Sequence, residues 1–145
     1  MTVSLLTVGA SAVEPTYDDI AGHWAEASIE RWSGHGIIQG NNGKFNPNGQ
    51  LTCAHFAAIL ARLLKLPAAK DAGFSDNTPD AWHYDAINRC AAAGILKGNL
   101  NGTVTPNAPI TRERAMVMLG RALGIEPIEN PDLTQFTDGA QVASY

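Results

Sequence analysis

Side chains able to do chemistry are present throughout this 145-residue sequence, but their spacing does not combine them into a reactive centre. His55 stands two residues from Cys53, which on a helix sends the two side chains to different faces, and His23, His35 and His83 form no ligand pair. No zinc site is expected. The loops Gly40-Asn41-Asn42-Gly43 and Gly98-Asn99-Leu100-Asn101-Gly102 have the glycine and asparagine content of a calcium loop, yet they carry no carboxylate. Glu26 and Glu30, four apart and followed by Arg31, read as a solvated helix face rather than an acid/base couple. Neither a nucleophile elbow nor a glycine-rich phosphate loop occurs. Cys53 and Cys90 are too few for a disulfide framework and read as small core residues, with a bridge between them left open. The expectation is a protein that is not an enzyme and needs no metal or cofactor.

Composition narrows the partners. The formal charge is -4, and the ten Lys and Arg form no long run, so a nucleic-acid backbone has no basic surface to meet. Hydrophobic residues make up 45% of the chain and no apolar run approaches the roughly 20 residues of a membrane span. At the start, residues 2–8 are mostly apolar, and Ala10-Ser11-Ala12 has the small-residue pattern of a signal-peptidase site. Residues 1–12 are therefore read as a partial signal peptide, with Val13 starting the exported chain, although no Lys or Arg precedes Arg31 to supply a basic leader.

The elements that position these residues come in two copies. Asp19 pairs with Asp76, Trp24 with Trp82, Ile29 with Ile87, Gly40 with Gly98, Gly43 with Gly102, Pro47 with Pro106, and Thr52 with Thr111. The offset grows from 57 to 59 residues, so two single-residue insertions separate the copies, both in turn-like segments. A third copy opens at Phe136-Thr137-Asp138. The organisation is a first repeat over 13–72, a second over 73–130, and the start of a third over 131–145. Each complete copy reads as helix, glycine-rich connection, helix. Ala25, Ile29 and Trp32 stripe the first helix, and Tyr84, Ile87 and Ala91 its counterpart. Phe56, Ile59, Leu60, Leu63 and Leu64 stripe the second, matched by Ala115, Met118, Leu119, Ala122 and Leu123. Thr52 and Thr111 are placed to cap the second helices, whereas Gly94, Gly124 and Pro67 are stop signals. Asn42-Gly43 and Asn101-Gly102 favour tight turns with positive φ. The fold class is all-α, built from repeats that bury their stripes only against one another.

Asp19, His23-Trp24-Ala25, Ile29, Gly36-Ile37, Gly40, Gly43-x-Phe45-x-Pro47 and Leu51-Thr52 together resemble the S-layer homology repeat, and Phe74-Ser75-Asp76 through Ile110-Thr111-Arg112-Glu113 resembles it again. The resemblance implies a three-pronged helical bundle, incomplete over these residues. It also implies a secreted cell-wall or S-layer anchor whose partner is a secondary cell wall polymer, often a pyruvylated and therefore acidic glycan, held in grooves between repeats. The family's arginine contact falls on Arg112, one residue after Thr111. Such a guanidinium beside a helix N-terminus offers a planar fork to a carboxylate. Trp24 and Trp82 are candidates for stacking on a sugar face or for the core, and Gly40 and Gly98 for close backbone approach. The first copy departs, with Cys53 in the arginine place and His55 in the glutamate place, and Arg114 takes the glutamate place in the second. These departures favour an alternative, a structural or protein-interaction module with a degenerate glycan site. With a third repeat only begun, marginal stability and self-association are expected through an apolar edge lined by Leu60, Leu64, Met118 and Leu119.

Overall fold

The computed structural model describes residues 17–129 and 131–141; the expected signal segment lies outside them. Among the described residues the chain is all-α, with α1 (Glu26–Gly34), α2 (Cys53–Leu63), α3 (Tyr84–Ala92) and α4 (Arg112–Ala122) in the expected helix–connection–helix order. It divides into two compact units between Asn48 and Gly49, inside the first repeat, so α2 belongs to the same unit as the helices of the second repeat.

The unit ending at Asn48 is built on Ile20 and Ile29, both buried. Trp32, expected on that buried stripe, is instead 42% exposed beside Arg31. The Asp19 carboxylate accepts the N–H groups of Phe45 (2.8 Å) and Asn46 (2.7 Å), so one side chain holds the far arm of the connection. The Phe45 N–H bond, with others to the backbone, holds that carboxyl below its usual range against the cost of desolvation. Asp76 repeats the clamp on Val104 and Thr105, both at 2.8 Å. The clamped Asn46 and Thr105 both adopt left-handed backbone, at φ 57 and 49. That conformation is costly for a β-branched threonine and is held by these bonds.

The connections differ where the repeat offset changes. Asn41 and Lys44 pair through both backbone bonds, leaving Asn42 (φ 50) and Gly43 (φ 73) as a two-residue hairpin turn. In the second copy Asn99 pairs with Thr103 across three residues, and only Gly102 has positive φ. Asn101, expected at positive φ, therefore is not. The extra residue converts a two-residue turn into a three-residue loop that needs one left-handed position, which glycine takes.

In the second unit α2 packs on α3, and the apolar cluster joins Cys53, Ala57, Leu60, Ile87, Cys90 and Met118. The buried face of α2 is Cys53, Ala54, Ala57, Ala58, Leu60 and Ala61. This corrects the expected stripe: Leu63 and Leu64 are exposed, and the small side chains face inward. Alanines let the backbones approach, and the Cys90 thiol donates to the Ala57 carbonyl at 3.3 Å. Leu60 and Met118, expected on an open edge, are likewise in the core at 2% exposure, while Leu64 remains at its margin at 37%. Gly94 and Gly124 close α3 and α4 with positive φ as expected, but α2 ends with Lys65 in that conformation before Pro67.

One buried group of bonds distinguishes the second copy. His83, 4% exposed, bonds through Nδ1 to Asn77 Oδ1 at 3.0 Å, and the Asn77 amide donates to Asn88 Oδ1 and the Tyr84 carbonyl, both at 3.3 Å. Asn88 Oδ1 also accepts the Ala72 N–H, at 3.1 Å, tying the inter-repeat linker to α3.

Candidate functional site

The two second helices begin alike. Thr52 Oγ1 accepts the His55 N–H at 3.2 Å and Thr111 Oγ1 the Arg114 N–H at 3.1 Å, so both expected caps form. Beyond the cap they diverge. At α2 the leading N–H groups are already taken: Cys53 donates to the Ala108 carbonyl (3.1 Å) and Ala54 to that of Pro106 (2.9 Å). An anion has no free donor there, and Cys53 itself is 0% exposed. At α4, Arg112 is exposed, and among the described residues it has no hydrogen-bond or ion-pair partner. Arg114, by contrast, is spent on its own repeat, donating to the Val104 carbonyl at 3.0 Å and Thr105 Oγ1 at 3.2 Å.

The tryptophans are not core residues. Trp24 is 90% exposed and Trp82 58%, because the inward place beside Trp82 is taken by His83. The Trp82 ring lies 5.0 Å from that of His55, in the first turn of α2, and meets His83 edge-on at 5.3 Å. His55 Nδ1 is in turn 2.9 Å from Thr52 Oγ1, so histidine keeps a link to the capping hydroxyl where the family pattern has glutamate. Trp82 thus joins the start of α2; no contact among the described residues joins it to Arg112.

Beside Trp82 runs an open groove of about 340 Å³ between α2 and α3, walled by Ala58 and Ala61 and bearing Arg62, Lys65, Asp85 and Arg89. Arg89 donates to the Leu66 carbonyl at 2.8 Å, and its Nε lies 2.7 Å from an Asp85 oxygen, close enough for charge attraction though not aligned as a hydrogen bond. Residue-by-residue reading missed these basic groups. The repeat held a signal for Arg89: it follows Trp82 by the seven residues that separate Arg31 from Trp24.

Gly40 and Gly98 have an internal explanation. A Cβ at Gly40 would meet the Lys44 carbonyl and come within 2.6 Å of the Tyr17 ring, and one at Gly98 would strike the Phe74 ring and, at 2.9 Å, the Thr103 carbonyl. The chain's own aromatic ring occupies the space each glycine vacates. Cys53 and Cys90 are free, and burial pushes both thiols up, Cys90 to about 11, so neither offers a nucleophile. Among the described residues no cluster of histidine, cysteine and carboxylate groups could hold a metal, and no helix is long and apolar enough to cross a membrane.

The S-layer homology domain model matches residues 16–57 and 73–113, the two copies that carry the caps, clamps and exposed tryptophans. The chain belongs to the S-layer homology family. Its two SLH repeats are 34% identical, over 98% of the chain, to part of the surface-layer 125 kDa protein of Lysinibacillus sphaericus, and 30% identical over 95% of the chain to S-layer protein EA1 of Bacillus anthracis. An endo-1,4-beta-xylanase A of Thermoanaerobacterium saccharolyticum shares 36% identity over 72% of the chain. The SLH chain spans only 12%, 16% and 9% of these three relatives, so it corresponds to one module of much longer proteins.

Proposed function

We propose that this chain is a noncatalytic anchoring module that attaches exported protein to the bacterial cell wall by holding an acidic glycan of the secondary cell wall polymer. The occurrence of similar segments in a surface-layer protein and in a xylanase supports a role separable from any catalytic activity. The observation that carries the reading is Trp82, whose exposed ring stands beside the groove bearing Arg62 and Lys65, together with an Arg89 that is held by Asp85 and the Leu66 carbonyl. An exposed indole offers a pyranose an apolar stacking face, and guanidinium and ammonium groups beside it attract a carboxylate. Arg112, the residue after the capping Thr111, is the second contact in this reading. Trp24 presents the same face in its own unit. Gly40 and Gly98 serve by admitting the rings that hold the connections rather than by touching sugar.

Sedimentation with purified wall sacculi, before and after the secondary polymer is stripped, tests the proposal. Binding should depend on the polymer. Trp82→Ala should weaken it about tenfold, and Arg112→Ala by about 1.5–3 kcal/mol with incomplete rescue by Lys, all at unchanged helicity. A second reading, a protein-interaction module on the same scaffold, is favoured by buried Cys53 and the occupied N–H groups of α2. Polymer-independent binding, unaffected by either substitution, would replace the first reading with the second.

A further inference from the structure

The two Asn-Gly turns share a dipeptide and differ in which of its groups are held. In the first, Asn42 and Gly43 are both exposed, and among the described residues neither the Asn42 amide nor the Gly43 N–H has a hydrogen-bond partner. In the second, the Gly102 N–H donates to the Asn99 carbonyl at 3.0 Å. Asn101 Oδ1 there accepts the Thr103 N–H at 3.2 Å and its hydroxyl at 2.7 Å.

We propose that Asn42 is a site of spontaneous deamidation and that Asn101 is its protected counterpart. The backbone nitrogen of the following residue is the nucleophile in this reaction and the asparagine Cγ the electrophile; glycine leaves the approach open because it has no Cβ. At Asn42 a bond forms between Gly43 N and Cγ, the Cγ–Nδ2 bond breaks, and ammonia departs with the proton that Gly43 N gives up. Water then opens the cyclic imide at either carbonyl, giving aspartate or isoaspartate. Asn101 resists because the Gly102 nitrogen must first surrender its bond to Asn99, and the Asn101 side chain its two bonds to Thr103, before the atoms can meet.

The product changes the hairpin. Isoaspartate inserts an extra backbone atom into a turn that has only two loop residues, which is incompatible with the paired Asn41–Lys44 bonds and with the Asp18 N–H to Gly43 carbonyl bond of 3.0 Å. The new negative charge also arises in a turn that already has a carboxylate next to it, since Asp18 Oδ2 lies 3.8 Å from the place where a Cβ on the neighbouring Gly43 would stand. Deamidation therefore loosens the connection that Asp19 clamps in the first copy and leaves the second intact.

The experiment incubates the folded chain in mildly alkaline buffer and follows tryptic peptides 32–44 and 98–112 by mass spectrometry, with isoaspartate assayed in each. The amide-to-acid mass gain should accumulate at Asn42 about tenfold faster than at Asn101, the factor expected from releasing held groups. Asn42→Gln should abolish the signal in the first peptide. In denaturant the two rates should converge, because only the fold distinguishes the turns. Equal rates in the folded chain, faster change at Asn101, or a tenfold ratio that persists in denaturant would each overturn the proposal.

Discussion

Helices α2 and α4 occupy the same place in their repeats, start from the same threonine cap, and have equal length, yet their first turns meet opposite surroundings. At α2 the turn segment 106–110 of the second repeat lies across the start of the helix. It supplies two carbonyls, and its Ile110 N–H donates to Leu51 at 2.9 Å. At α4 the corresponding Arg112 is exposed. Among the described residues the residue that follows the cap differs along with its cover: a small thiol where the turn is sealed, a guanidinium where it is exposed. A motif position does not carry one fixed role; its neighbours assign the role.

The sharpest way to break that comparison is to exchange the residues. Cys53→Arg should destabilise the chain by about 3–5 kcal/mol or prevent folding, since a guanidinium would be buried among apolar atoms without a partner. Arg112→Cys should change stability by no more than about 0.5 kcal/mol. Urea denaturation measures both, and comparable losses would remove the distinction between a sealed and an open turn. Next in size is the rotated face of α2. Leu60→Ala should cost about 2–5 kcal/mol and Leu64→Ala less than about 1, whereas a helix buried on the stripe expected from its leucines would lose heavily at both.

The caps should behave alike despite the different cover. Thr52→Ala and Thr111→Ala are each expected to cost about 1 kcal/mol in thermal or urea melts. A much larger loss at Thr52 would mean that the cap also holds the segment bridged to Pro109. The smallest effect is pH-dependent. Burial holds His83 below the usual histidine value of 6.5, against the attraction of Asp76 and aided by His55. The unfolded chain therefore takes up this proton at a higher pH than the folded one. The stability that neutral His83 contributes is complete above about 6.5 and is lost as pH falls through that value toward the lower folded one. Melts from neutral pH to about pH 5 should show wild type losing more stability than His83→Gln; parallel curves would show that His83 protonation is not linked to folding.

Several features were legible in the sequence because they depend on local chemistry. The threonine caps, the closing glycines 94 and 124, and the pairing of the two copies follow from hydrogen-bonding reach, left-handed backbone and spacing, none of which requires a neighbour. Asp19 and Asp76 were visible as a pair, but their clamps were not, since each joins backbone 26 to 29 residues away. The inward face of α2 was misread because leucines mark an apolar stripe more strongly than alanines, although alanine permits the closer helix contact. Trp82 was ambiguous for a related reason: an indole suits a core or a surface, and the competition with His83 for the inward place is settled only by Asn77 and Asn88.

By itself, then, the sequence determined that this is a repeated all-α chain with capped second helices, because periodicity and caps are properties of nearby residues. Only the tertiary structure decided that Cys53 is sealed and Arg112 exposed, that Trp82 stands beside a groove bearing Arg62 and Lys65, and that, among the described residues, the Asn101 side chain and Gly102 N–H are tied while the Asn42 side chain and Gly43 N–H are not. Each of those outcomes depends on which distant carbonyl, ring or amide reaches the residue first, and such reach is set by packing between elements rather than by spacing along the chain.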